Sequence, residues 1–373
     1  RAAYQVGVLK AAAEILPKRT QNPFSIITGT SAGAINAVAL GASANNFRLA
    51  VKKVEYFWTN LRVEQVYRAG YLNLAGSVLR LLGSLFHRGT GLRKPLSLLD
   101  TAPLAELLQH VINFDHLERR LDSGLLDAIG VTASSYDTGE SVTFYQSNLD
   151  GIVLPPWKRA RRRGEPTRLG VEHLLASSAI PTILPATAIN GRYYGDGALR
   201  QVSPISPALH LGARRIMVVG VSGNPRHPPE EQVTPQSPSL AKMVGHVFNS
   251  AFIDALENDM GHLERINELV GILQNENPHV ETADMKFIDF LAINPSIEID
   301  QLVTDHIHRL PRAMRTVLNI TGATPKGGGT SLASYLLFEG NFCRDLIDCG
   351  YRDAMDQRDM LEHFFHPPAS VPF

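Results

Sequence analysis

Apolar residues recur at helical spacing from the start of the chain: Val8, Leu9, Ala12, Ala13 and Leu16 share one side of residues 4–16, and Pro17 ends the run. Residues 24–28 (Phe-Ser-Ile-Ile-Thr) read as a short strand, and the alanine-rich residues 32–40 as the helix that follows it. Residues 47–61 repeat the amphipathic helical pattern. Residues 71–86 carry Leu72, Leu74, Val78, Leu79, Leu81, Leu82 and Leu85 with Arg80 as their charge, a stripe that reads as core-facing and marks the segment as a candidate lid. Asp100 or Thr101 caps the next helix, residues 104–112, with Pro103 in its first turn. Alternating apolar positions at 128–133 and 141–146 flank Asp137-Thr138-Gly139 and predict a hairpin.

Further on, residues 216–221 form a continuous apolar run, as a doubly covered parallel strand does. Residues 224–238 hold five prolines and read as a loop or boundary. Helices at 240–258 and on through 273, a strand-like piece at 287–293 and a mostly helical stretch from 299, broken at Gly327-Gly328-Gly329, complete the chain. Strands alternating with helices in this order predict an α/β fold with a mainly parallel central sheet and helices on both faces. A helical C-terminal region, residues 296–373, follows a main domain of residues 1–295.

Composition narrows the partners. The 373 residues carry 36 basic and 36 acidic side chains, so no global charge steers the protein to nucleic acid, and none is expected as a partner. The one compact basic run, Lys158-Arg159-Ala160-Arg161-Arg162-Arg163, is either a solvated loop or a site of attraction to anionic lipid head groups. Cys343 and Cys349, six apart, suit neither a metal site nor a disulfide framework and read as reduced, buried thiols. Gly76, Arg80 and Gly83 interrupt the nearest approach to a membrane span, so a cytoplasmic or membrane-peripheral protein is expected. Residue 1 enters helix directly with no initiator Met, which leaves secretion open. The oligomeric state is not legible.

The candidate chemistry begins at Gly29-Thr30-Ser31-Ala32-Gly33, where the strand stops and helix restarts. That is the form of a nucleophile elbow, a turn so tight that Gly29 and Gly33 supply clearance a Cβ would deny. Ser31 then stands on the turn, and the unpaired amides and positive dipole end of the following helix, Ala32 among them, favour an oxyanion beside it. The bland alternative is a serine that merely caps the helix. A serine hydroxyl needs a base. The candidate is Asp196, held between Gly195 and Gly197 after an aromatic strand-like run, although Asp-Gly is also an ordinary turn.

In this order, the elbow, Ala176-Ser177-Ser178-Ala179-Ile180-Pro181 and Asp196-Gly197-Ala198 resemble the patatin-like phospholipases, as do residues 2–9 (Ala-Ala-Tyr-Gln-Val-Gly-Val-Leu) and the closing residues 331–338. The resemblance implies Ser31 as acyl-accepting nucleophile and Asp196 as its general base, without histidine. It also implies lipid acyl esters such as phospholipids as substrates, contact with a membrane surface, and no metal or organic cofactor. Family members carry Gly-Gly-Gly-x-Arg-Gly before the first helix as an oxyanion loop. This sequence starts at the position of that arginine, Arg1, with Ala2 in place of the next glycine, and the first strand and glycine loop are expected ahead of it. Arg1 is a candidate for supporting the oxyanion or a solvated terminal side chain. Three rivals stand beside this reading: an α/β-hydrolase triad using His306, His308, His363 or His366, a transacylase with a histidine base, and a lipid-binding scaffold that keeps the fold without activity.

Overall fold

The computed structural model describes residues 1–70, 74, 76–79, 96–221, 239–250, 255–276, 286–321 and 330–366. The candidate lid at 71–86 lies largely outside them, and the proline-rich 224–238 and the triglycine at 327–329 lie wholly outside. Helix α1 (Ala3–Ile15) leads to β1 (Ile26–Thr30), α2 (Ala32–Ala42) and α3 (Phe47–Thr59). Asn46 caps α3 by accepting the Leu49 N–H. After α4 (Val63–Val66) comes α5 (Ala102–Val111), where of the two proposed caps the Asp100 carboxylate accepts the Ala102 N–H at 3.0 Å. Helix α6 (Phe114–Asp122) precedes β2 (Ala128–Ser135), β3 (Ser141–Ser147), β4 (Trp157–Arg159) and β5 (Arg162–Pro166).

Helix α7 (Val171–Ser177), β6 (Thr187–Ile189) and β7 (Arg192–Asp196) follow, then α8 (Ser206–His210) and β8 (Arg215–Val219). The expected helix at 240–258 is described over α9 (Leu240–Asn249) and the start of α10 (Ala255–Glu276). Strand β9 (Asp289–Ile293) and helices α11 (Ile299–His306), α12 (Arg312–Thr321), α13 (Thr330–Ser334), α14 (Gly340–Met355) and α15 (Arg358–Phe365) end the chain.

The mixed α/β class holds, but the sheet is not mainly parallel. Strands β4-β5-β3-β2-β7-β6 lie side by side, with β1 also on β2. Only β1 with β2 and β3 with β5 are parallel in this sheet, whereas β2–β3, β2–β7, β4–β5 and β6–β7 are antiparallel. The reason is connection length: two residues join β4 to β5 and two join β6 to β7, far too few for the crossover that a parallel pair needs. The basic run is therefore hairpin rather than loop. The parallel expectation survives at residues 215–219, since β8 pairs in parallel with β9, but as a separate two-stranded sheet.

One feature of pairing positions the site. Strand β3 occupies one whole edge of β2, so β1 and β7 share the other. They run toward each other along it: Thr30 pairs with Thr132, and Asp196 pairs with Ala133. The end of β1 and the end of β7 thus meet at adjacent positions of β2.

The C-terminal helices join the same core as residues 2–74. Tyr4 on α1 donates from its hydroxyl to Asp353 Oδ2 on α14 at 3.0 Å, and the Arg1 guanidinium pairs with Asp300 at 2.7 Å. Both cysteines are free and buried, and burial pushes each thiol up to about 12. Among the described residues no helix is long and apolar enough to cross a membrane.

Candidate active site

Ser31 sits between β1 and α2 with φ 54°, ψ −135°, a left-handed backbone that a non-glycine residue adopts only when its surroundings hold it there. Its N–H donates to Ser177 Oγ at 2.8 Å, and Ser177, wholly buried, passes the connection on by donating to the Thr132 carbonyl at 2.6 Å. Two residues later the Ala179 carbonyl accepts the Asp196 N–H at 2.9 Å. The segment 177–179 therefore braces both Ser31 and Asp196. It is the block quoted above for its resemblance alone, and nothing in its composition announces this role.

Ser31 Oγ donates to Asp196 Oδ2 at 2.6 Å. The carboxylate is 0 % exposed, and its other oxygen accepts the Ala198 N–H at 3.0 Å. Burial raises the Asp196 pKa from 3.8 to about 7, more than the hydrogen bonds from Ser31 and Ala198 pull it down. A free aspartate is a feeble base at neutral pH; this one is poised there. Thr30 Oγ1 donates to Gln201 Oε1 at 2.6 Å beside the pair, a neighbour the sequence did not single out.

Gly29 and Gly33 differ. A Cβ on Gly29 meets the Gly33 carbonyl at 2.5 Å and Ala34 Cα at 2.7 Å, both immovable backbone. On Gly33 it meets only the end of the Gln5 side chain at 3.3 Å, so the expectation of a strict need for glycine there is corrected. Ala32 and Gly33 open α2, where no helical carbonyl lies ahead of their N–H groups. The Ser31 N–H is already engaged by Ser177. Arg1 is neither solvated nor hydrogen-bonded to Ser31: its guanidinium donates to Ser334 Oγ at 3.0 Å and Asp300 at 2.7 Å and lies 4.3 Å over the Tyr335 ring.

A cavity of about 970 Å³ reaches Ser31 and runs beneath α1 along the edge of β1 toward β8. Ser178, Ile180, Leu184 and Ala198 line it together with Ser31, with Leu104 and Phe338 among its apolar walls. None of the four late histidines hydrogen-bonds to Ser31 or Asp196; His306 on α11 contacts Asp345 instead at 2.6 Å. The histidine triad expected of an α/β-hydrolase is not assembled.

The family model for patatin-like phospholipase matches residues 1–209. The chain belongs to the patatin-like phospholipase family. The match covers more than half of the 373 residues and includes Ser31, Asp196 and the 177–179 brace. No curated protein matches the chain. Patatin-like proteins are a family of lipid acyl hydrolases, and the apolar cavity at Ser31 suits such a substrate class. In this patatin-like chain, Ser177→Ala is expected to lower stability by about 2 kcal/mol, because the part-buried Ser31 N–H and the buried Thr132 carbonyl both lose a partner. A denaturant midpoint unchanged from wild type would deny the brace any weight.

Proposed function

We propose that this chain is a serine acyl hydrolase in which Ser31 attacks the acyl ester of a phospholipid or related lipid and Asp196 is the general base. The 2.6 Å hydrogen bond from Ser31 Oγ to the buried Asp196 carboxylate carries this reading. As Ser31 Oγ bonds to the ester carbonyl carbon, its proton passes to Asp196 Oδ2. The carbonyl electron pair moves onto oxygen, where the Ala32 N–H and the dipole of α2 oppose the new negative charge. Collapse of this intermediate breaks the bond to the leaving alcohol, which takes the proton from Asp196. Water then repeats the sequence at the acyl-serine, releasing the fatty acid and restoring both groups. No step calls on a metal or an organic cofactor.

A raised pKa sets the direction of the pH profile. Below about 7 the carboxyl holds a proton and cannot accept another; above it the base is free. Acylation of Ser31 by a fluorophosphonate is therefore expected to accelerate with pH and level off above neutrality. Mass spectrometry should place the probe on Ser31. A wild-type chain that takes no label at Ser31 at any pH is a lipid-binding scaffold rather than a hydrolase, and a labelling rate flat from pH 5 to 9 removes Asp196 as the base.

A further inference from the structure

The basic run at 158–163, left with two meanings by the sequence, acquires a position in the fold. Its hairpin lies at the same end of the sheet as Ser31. Arg162 pairs with Ser141, Ser141 with Ser134, and Ser134 with Gly195, the neighbour of Asp196. Those are three strand spacings, about 14 Å from the backbone of Arg162, beside the hairpin tip, to that of Gly195. The tip turns through Ala160 and Arg161, the latter at φ 59°. Trp157 stacks on His210 of α8 with ring centroids 4.1 Å apart, and Arg162 Nη1, beside the turn, donates to Ser203 Oγ at 2.9 Å, so the hairpin is fastened at both ends to the segment that follows Asp196.

The charges there divide into two groups. Arg163 is held by Glu140 and Glu165, each at 2.8 Å, and Lys158 leans toward Glu140 at 4.0 Å. Arg159, Arg161 and Arg200 are exposed and meet no carboxylate among the described residues. Arg161 and Arg200 border one small recess together with Val202, a valine 69 % exposed to solvent. Exposed arginines that meet no carboxylate among the described residues, two of them bordering a recess with a bare apolar side chain at the Ser31 end of the sheet, match a surface of negative head groups over hydrocarbon.

We infer that Arg159, Arg161 and Arg200, with Val202 beside the last two, form a docking rim that seats the Ser31 end of the sheet on an anionic lipid bilayer. The bilayer is the occupant because it meets both the unpaired positive charge and the exposed Val202 side chain. The purpose of the rim rests on the proposed hydrolase reading, but its test does not require turnover. Electrostatic attraction of this kind is worth roughly a fivefold change in partition for each basic residue near the surface. It also fades as salt shortens the Debye length.

The experiment compares cosedimentation of the full chain with vesicles of phosphatidylcholine alone and of phosphatidylcholine containing phosphatidylserine. The expected result is binding to the anionic vesicles that weakens with added salt, and a loss of about 100-fold in the combined variant R159Q, R161Q, R200Q. Thermal melting and fluorophosphonate labelling at Ser31 are expected to be unchanged in that variant, since none of the three arginines touches Ser31 or Asp196. Equal binding to both vesicle types, salt-independent binding, or a variant that binds as wild type does overturns the docking rim. Failure of wild-type labelling at Ser31 instead refutes the hydrolase and leaves the vesicle result to decide the rim by itself.

Discussion

Asp196→Asn is expected to yield a folded protein that is more stable than wild type above neutral pH and inactive. The buried carboxylate has its pKa raised from 3.8 to about 7. A group that holds its proton more tightly when folded weakens the fold wherever it must ionise. Below about pH 4 there is no penalty; it grows through the window from 3.8 to about 7 and is complete above. Three pKa units correspond to about 4 kcal/mol, an upper bound because asparagine will not reproduce every hydrogen bond. Asparagine fills nearly the same volume, can keep the Ala198 N–H as donor, and has no charge to bury. Without a base for Ser31, hydrolysis should fall by about 10⁴-fold. Unfolding by denaturant at pH 5 and pH 8 checks the stability half: wild type should weaken between the two and the variant should not. If both proteins show the same pH dependence, the carboxylate does not carry the strain assigned to it.

The second large effect belongs to the elbow. Gly29→Ala is expected to destabilise by about 4 kcal/mol and to abolish labelling of Ser31, because its methyl group enters the first turn of α2 at 2.5 Å from the Gly33 carbonyl. No side chain can swing away, so strand and helix must part. Gly33→Ala, four residues on and part of the same sequence motif, should change stability by less than about 1 kcal/mol, as helix preference for alanine offsets a mild crowding of Gln5. Gly197 resembles Gly29, since a Cβ there is driven into the Thr132 carbonyl. Thermal melts of the three alanine variants separate these positions. Equal losses at 29 and 33 would mean that the motif acts through backbone torsion rather than clearance.

Helices α1, α2, α3 and α5 and the hairpin of residues 128–147 were legible because their spacing and turn residues agree, whereas the short helices α6, α7 and α8 were not. The elbow was legible because its small residues sit where a strand pattern ends. Sheet direction was not legible from the alternation of strands and helices, because it turns on two tight hairpins. Asn190-Gly191, between Ile189 and Arg192, is the dipeptide that favours a two-residue hairpin turn, and both residues adopt positive φ, 49° and 78°. The second hairpin was masked by its charges, since Lys158 to Arg163 look like a solvated loop until Glu140, Glu165 and Ser203 are seen to hold Arg162 and Arg163. Ser177 was hidden for a different reason. Its role lies in two hydrogen bonds to residues 146 and 45 positions away, and no local pattern encodes such partners.

The distance between the reacting hydroxyl and its base is cast by strand register and owes nothing to the 165 positions of chain separating them. A slip of one residue in either β1 or β7 would move a side chain about 3.3 Å and turn it to the opposite face of the sheet. Lengthening, shortening or replacing the intervening connections leaves that ruler unaltered. Substrate preference in this scaffold is thus free to diverge through its loops while the chemistry stays fixed, and grafted loops are the natural route to new ester specificities.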